Sequence, residues 1–199
     1  MKIAGREIST GLIIGVILGI IVLWGFMWNN GTVDKHEEVK GQWGNVENAY
    51  QRRSDLIPNL VNTVKGYAKH EKEVLTAVTE ARSRVGQMNI DPSKLTPEAL
   101  QSFEQNQGAL SSSLGRLMVV MEQYPDLKAN ESFIALQAEL AGTENRIATE
   151  RNRFNEAAIE YNKRIQKIPG KLFNAIAGFE EQAYFKAKAG ADVAPTVKF

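Results

Sequence analysis

Between Ile8 and Val33 the chain carries no charged residue, and from Leu12 to Trp28 it reads LIIGVILGIIVLWGFMW. A helix crosses the ~30 Å hydrocarbon core of a bilayer with about 20 residues, so this stretch and its flanks are long enough to span. In lipid every backbone polar group must be paired inside its own helix. The segment therefore predicts one transmembrane helix. Trp24 and Trp28 fall where interfacial aromatic anchors lie. A cleaved signal peptide is the competing reading, but the apolar run is long for one and Trp28-Asn29-Asn30 offers no small-residue cleavage site. Lys2 and Arg6 precede the span, and Lys35 and Lys40 follow it among acids. The short basic start favours a cytoplasmic N-terminus and an extracytoplasmic domain. Gly11, Gly15 and Gly19, four apart, line one face where a second helix can approach closely, so self-association is expected.

The remainder is of a size for one domain that buries its own core. Of 199 residues, 24 are basic and 23 acidic, a net charge of +1 that gives no general attraction to nucleic acid. There is no cysteine and there are two histidines, His36 and His70. Thiolate chemistry, disulfides and multi-histidine metal sites are excluded on that ground. No phosphate-binding glycine loop and no nucleophile elbow occurs. We expect no enzyme, no cofactor and no metal.

After Asp34 apolar residues recur at alternating spacings of three and four, the heptad signature of helices that pack along a narrow seam. The first seam runs Val39, Trp43, Val46, Tyr50, Arg53, Ile57, Leu60, Val64, Tyr67, Glu71, Val74, Val78, Ala81, Val85. The second is Leu100, Phe103, Gln107, Leu110, Leu114, Leu117, Met121, Tyr124. The third is Phe133, Leu136, Leu140, Thr143, Ile147, Glu150, Phe154, Ala157, Tyr161, Arg164, Ile168. Asn89-Ile90-Asp91-Pro92 ends the first helix, and Thr96-Pro97-Glu98 starts the second with cap, proline and first-turn acid. Tyr124-Pro125-Asp126 ends that helix, Asn130 caps the third, and Pro169-Gly170 stops it. Short connections make neighbours antiparallel. The predicted fold is all-α: an N-terminal transmembrane helix, then a long antiparallel bundle of three long helices and a short C-terminal one.

Pro58 lies inside the first helix and removes a hydrogen bond to Ser54, so a kink or recapping is expected at Ser54–Pro58. At 1.5 Å per residue, Asp34–Gln87 would be ~80 Å long, against ~42 Å for Pro97–Tyr124 and ~57 Å for Glu131–Ile168. The membrane-proximal part would then stand clear as a stalk, with Trp43, Val46 and Tyr50 bare, and an uncovered apolar stripe invites a second copy. The expected boundaries are 1–33 for N-terminus and span, 34–57 for the stalk, 58–179 for the bundle and 180–199 for an irregular tail. Within that tail Tyr184, Phe185 and Phe199 are candidates for docking. Leu172, Phe173, Ile176 and Phe179 predict a short amphipathic helix packed on the bundle end.

Three segments carry a resemblance. RRSDLIPNLVNTVKGYAKHE (Arg52–Glu71), YPDLKANESFIALQAELAGTENRI (Tyr124–Ile147) and RFNEAAIEYN (Arg153–Asn162) resemble, in order, the motifs of the LemA family. The resemblance covers nearly the whole chain and implies a bacterial, membrane-anchored helical protein of the cytoplasmic membrane. Through a relative among magnetosome proteins it also implies membrane organisation. It supplies no reaction. The motif residues fall here at Asp55, Pro58, Asn59, Glu144, Asn145, Arg146, Asn155, Tyr161 and Asn162, with no role attached to any of them.

Arg53, Glu71, Gln107, Thr143, Glu150 and Arg164 interrupt the seams. Paired polar layers that fix helix register explain them better than a buried carboxylate site. A di-metal bundle needs Glu-x-x-His, and residue 67 before His70 is Tyr. His70, in Lys69-His70-Glu71-Lys72, reads as a surface histidine rather than a phosphoacceptor. The charged runs Thr143–Arg146 and Arg151–Arg153 read as solvated faces, with a partner-binding surface as the sharper alternative. The functional expectation is a non-enzymatic scaffold in contact with lipid, a second copy and a protein partner. A sensor or adaptor that passes a signal through the stalk helix is the alternative.

Overall fold

The computed structural model describes residues 2–3, 6–7, 10–68, 70–88, 90–93 and 95–186. A two-residue antiparallel pairing of Lys2–Ile3 with Arg6–Glu7 precedes the first helix. Then come α1 (Thr10–Tyr67), α2 (Lys72–Gly86), α3 (Pro97–Met121), the single turn α4 (Pro125–Lys128), α5 (Glu131–Gln166) and α6 (Gly170–Ala177). The span and the first helix of the bundle are thus one helix of 58 residues. Its apolar half is exposed side chain after side chain, as a segment that faces lipid must be.

The cross-helix bonds give the directions. Arg82 of α2 reaches Ser54 of α1, so α2 turns back along α1. In α3, Phe103 packs on Trp43 and Tyr50, and Tyr124 just beyond it bonds Glu71, so α3 runs parallel to α1. Along α5, Glu139 meets Arg52, Phe154 meets Trp43 and Arg164 meets Thr32, so α5 descends again. The result is an up-down-up-down four-helix bundle. Helix starts follow the sequence signals. Thr96 accepts from the Ala99 amide at 3.2 Å, and Asn130 accepts from that of Phe133 at 3.0 Å.

One expected helix, Asp34–Gln87, is two. It breaks between Tyr67 and Lys72, within the charged run that includes His70, and α2 folds back. This break overturns the length argument for a bare stalk. From Asp34 to Tyr67, α1 is ~51 Å long, which the 36 residues of α5 match at ~54 Å. Residues 34–57 are therefore packed inside the bundle. Trp43 and Val46 are 0% exposed and Tyr50 5%, all within a single chain. The premise for association through Trp43, Val46 and Tyr50 is gone, and cutting these side chains back would open the core itself. The kink expected at Pro58 does not interrupt α1. The Ser54 carbonyl that loses its helical donor accepts instead from Arg82 Nε at 2.9 Å, which ties α2 to α1.

The core has two parts. Toward the membrane it is aromatic: Trp28, Trp43, Tyr50, Phe103, Phe154, Tyr161 and Phe185. Away from it the core is mainly aliphatic, with Ile57, Leu60, Val64, Val78, Leu110, Leu117 and Leu127 around Phe133. Arg53 lies between the two along α1, 1% exposed. Beyond α6 the segment 179–186 is irregular and docks along the bundle, with Phe185 buried and Tyr184 exposed. Residues 187–199, and with them Phe199, lie outside the described residues.

Candidate functional site

Three of the family-motif residues on α5, Asn155, Tyr161 and Asn162, have a shared task. Asn155 and Asn162 are one heptad apart and so share a helix face. The Asn162 amide donates to the Gln182 carbonyl at 2.8 Å, while its Oδ1 accepts from the Gln182 amide at 2.9 Å. Asn155 repeats the pattern on Phe185 at 2.9 and 2.9 Å. Between them the Tyr161 hydroxyl donates to the Glu180 carbonyl at 3.0 Å. Burial, with the nearby Glu180 charge, pushes that phenol up to about 12, so it stays a neutral donor. A primary amide can pair with both the N–H and the C=O of one residue, as a neighbouring strand would. The segment 179–186 thus has the backbone groups of Gln182 and Phe185 paired by two side chains, as a neighbouring strand would pair them. The clamp seats Phe185 against Trp43 and Phe154, under the guanidinium of Arg151 at 4.1 Å.

Arg53 forms the second centre. Its guanidinium donates to Gln107 Oε1 at 2.5 Å, Ser111 Oγ at 2.8 Å and the motif residue Glu144 at 2.6 Å, and it lies over the Tyr50 ring. Glu144 is half exposed, so one end of the pair stays hydrated. Two seam-interrupting residues, Arg53 and Gln107, meet here as a polar layer. The other interruptions are also held. Glu71 accepts from Tyr124, Thr143 donates to the Glu139 carbonyl and Glu150 pairs with Arg153. Arg164 donates to Thr32 Oγ1 and to the Trp28 carbonyl. Among the described residues no group of three or more His, Asp or Glu is placed to hold a metal.

On the outer face a groove of about 550 Å³ runs between α1 and α5, lined by Asn45, Asn48, Arg52, Glu139, Arg146 and Glu150. Arg52 pairs with Glu139 across it. Arg146, another motif residue, belongs to this groove. The remaining motif residues are local: Asp55 accepts from Gln51, the Asn59 carbonyl from Thr63, and the Asn145 carbonyl from Thr149.

At the membrane end, His36 stacks on Tyr161 with ring centroids 5.3 Å apart. Burial, helped by the charge of Lys40, lowers its pKa from the usual 6.5. Gly31 and Gly170 permit close approaches: a Cβ on Gly31 would stand 2.5 Å from the Arg164 guanidinium, and one on Gly170 would meet the Arg164 carbonyl and the Trp28 indole. Gly15 and Gly19 differ, with open space around them, and Gly11 is exposed on the same helix. The clamp on 179–186 and the Arg82–Ser54 tie are features sequence reasoning missed. For the first the sequence shows two asparagines at heptad spacing within one motif and an aromatic residue in the tail, but nothing that says where the tail returns.

Comparison with known proteins places this architecture. A sequence model of the LemA family matches residues 42–199. Magnetosome protein MamQ 2 of Paramagnetospirillum magneticum is 28% identical over 184 residues, covering 82% of this chain and 66% of its own. Magnetosome protein MamQ of Magnetospirillum gryphiswaldense is 27% identical with the same coverage. Protein LemA of Metamycoplasma hominis is 28% identical over 136 residues, 68% of this chain and 58% of its own. The chain thus spans a little under two thirds of the length of these relatives.

Proposed function

The chain belongs to the LemA family, and from that premise we propose that it works as a non-enzymatic scaffold: a membrane-anchored bundle that self-associates through its span and offers a polar face to a protein partner. The observation that supports this most is the use made of the polar side chains. Arg53, Gln107, Asn155, Tyr161, Asn162 and Arg164 are engaged in holding one element against another. Buried polar layers of this kind fix register and pairing rather than carry chemistry. The groove around Arg52, Glu139 and Arg146 is the face offered to a partner. The glycine face at Gly11, Gly15 and Gly19 is the contact between copies, where close backbone packing replaces the missing hydrophobic drive in lipid. The N-terminus lies in the cytoplasm and the bundle outside the cytoplasmic membrane, a placement that rests on Lys2 and Arg6.

The test is mass photometry of the full chain in nanodiscs and in mild detergent. Gly15→Leu with Gly19→Leu is expected to shift oligomers to monomers with helicity unchanged. A wild-type chain that is monomeric at micromolar concentration in both media refutes self-association. The unbroken α1 would also serve a transmitter that moves the span against the bundle. Thr32→Cys with Arg164→Cys, bridged by a short thiol-reactive crosslinker that replaces the reach of the arginine, is the lock of α1 to α5 at the membrane end. A scaffold keeps its partner binding when locked, and a transmitter loses its response.

A further inference from the structure

The short helix α6 lies beside the span, not only beneath the bundle. Phe173 packs on Trp24 and Trp28 with ring centroids 5.9 and 5.7 Å apart, and a Cβ on Gly25 would touch it at 3.4 Å. These three residues end the apolar run. Helix α1 starts at Thr10, and a hydrocarbon core of ~30 Å takes up about 20 residues. The core therefore extends to about Asn29, and Trp24 lies some 7 Å inside its bundle-side face at 1.5 Å per residue. Whatever touches Trp24 and Gly25 is at lipid depth.

The free side of this corner is apolar. Ile168, Leu172 and Ile176, four apart, are 80, 66 and 91% exposed, while Lys167 and Lys171 beside them are exposed cations. Leu172 and Ile176 share one face of α6 and Ile168 is exposed on the turn before it; three bare aliphatic side chains of this size at one corner are not a stable arrangement in water. Apolar residues on one side with lysines alongside are the composition of helices that lie in the membrane interface.

We propose that the α5–α6 corner is a second membrane contact: Ile168, Leu172 and Ile176 enter the boundary of the leaflet on the bundle side of the bilayer that holds the span, with Lys167 and Lys171 at the phosphate level. The continuity of Phe173 with Trp24, Gly25 and Trp28 selects lipid over a protein partner as the occupant. The proposal needs only that α1 spans a membrane and holds whether or not the chain self-associates.

The chain has no cysteine, so single labels are clean. Leu172→Cys and Ile176→Cys are labelled with an environment-sensitive nitrobenzoxadiazole dye in the full-length protein. The labelled chains enter nanodiscs of phosphatidylcholine and phosphatidylglycerol that carry a nitroxide near the top of the acyl chain. Val119→Cys, 70% exposed on α3 away from the membrane, is the control. Blue-shifted emission at 172 and 176 with about twofold or greater excess quenching over 119 is the expected result. Quenching at 176 equal to that at 119 overturns the proposal. So does a blue shift without lipid quenching, which would mean that a protein surface covers the row.

Discussion

Asn162→Ala removes both hydrogen bonds between the α5 side chain and Gln182, at 2.8 and 2.9 Å. Asn162 is 7% and Gln182 5% exposed, so water cannot simply replace the lost amide. A buried backbone group left unpaired costs about 1–3 kcal/mol, and two groups at one residue give roughly 2–4 kcal/mol for the substitution. Asn162→Asp is the charged counterpart. A carboxylate still accepts from the Gln182 N–H, but it sets a buried negative charge against the Gln182 carbonyl, so at neutral pH the loss should be at least as large as for alanine. Asn155→Ala acts on Phe185 in a half-buried setting and should cost about 1–2 kcal/mol. If 179–186 is held as one unit, Asn155→Ala with Asn162→Ala costs less than the sum, because once the segment leaves, the second clamp has nothing to hold. Hydrogen exchange of the Gln182 and Phe185 amides in the full chain reads this out, alongside denaturant unfolding. Exchange at both amides should accelerate in either single variant. Unchanged protection at Gln182 in Asn162→Ala would refute the assignment of these motif residues to holding the C-terminal segment.

Arg53→Met removes the buried guanidinium and strands Gln107, for an expected ~2–3 kcal/mol, whereas Glu144→Gln should cost under ~1 kcal/mol because that carboxylate is half hydrated; urea titrations giving the opposite order would contradict the layer described. His36 has its folded pKa depressed below 6.5, so the unfolded chain binds the proton more readily. Its contribution to stability is present above pH 6.5 and lost as the pH falls through the lower folded value, and His36→Gln should flatten that part of a melting-temperature profile. Gly170→Ala sets a methyl against the Arg164 carbonyl and should lower stability by ~1–3 kcal/mol. Gly142→Ala, with open space at the same test position in α5, should raise it by roughly 0.5–1 kcal/mol, and thermal unfolding compares the two.

Periodicity made much of the core legible. From Leu100 to Met121 every seam position is buried, and so are eight of eleven positions from Phe133 to Ile168, with Leu136 and Arg164 intermediate and Ile168 exposed. The membrane end interrupts that last seam, because the chain turns under the bundle after Gln166. The break after Tyr67 was not legible: no proline marks it, and the heptad count passes through it undisturbed to Val78 and Ala81. That single miss carried the rest with it, since a helix ending at Gln87 would have left Trp43 and Tyr50 without neighbours. The clamp was out of reach for a different reason. Hydrogen bonds between α5 and a segment some twenty to thirty residues later depend on where the chain returns, and no local pattern encodes that return. Pro58 was read correctly as a lost bond, but the replacement donor, Arg82, comes from another helix.

Because α1 runs as one continuous helix from the bilayer to the distal turn, it can act as a lever with its fulcrum in the lipid. A spanning helix longer than the local hydrocarbon thickness accommodates by leaning, and leans of about 20° are ordinary. A change in lean of ~10° at the headgroups would sweep the far end of α1, ~51 Å above, sideways by about 9 Å. The α2 and α4 turns, where Glu71, Tyr124 and Asn130 gather, would travel with it as one body. Bilayer thickness would then set where the outermost part of the protein stands, with no rearrangement inside it.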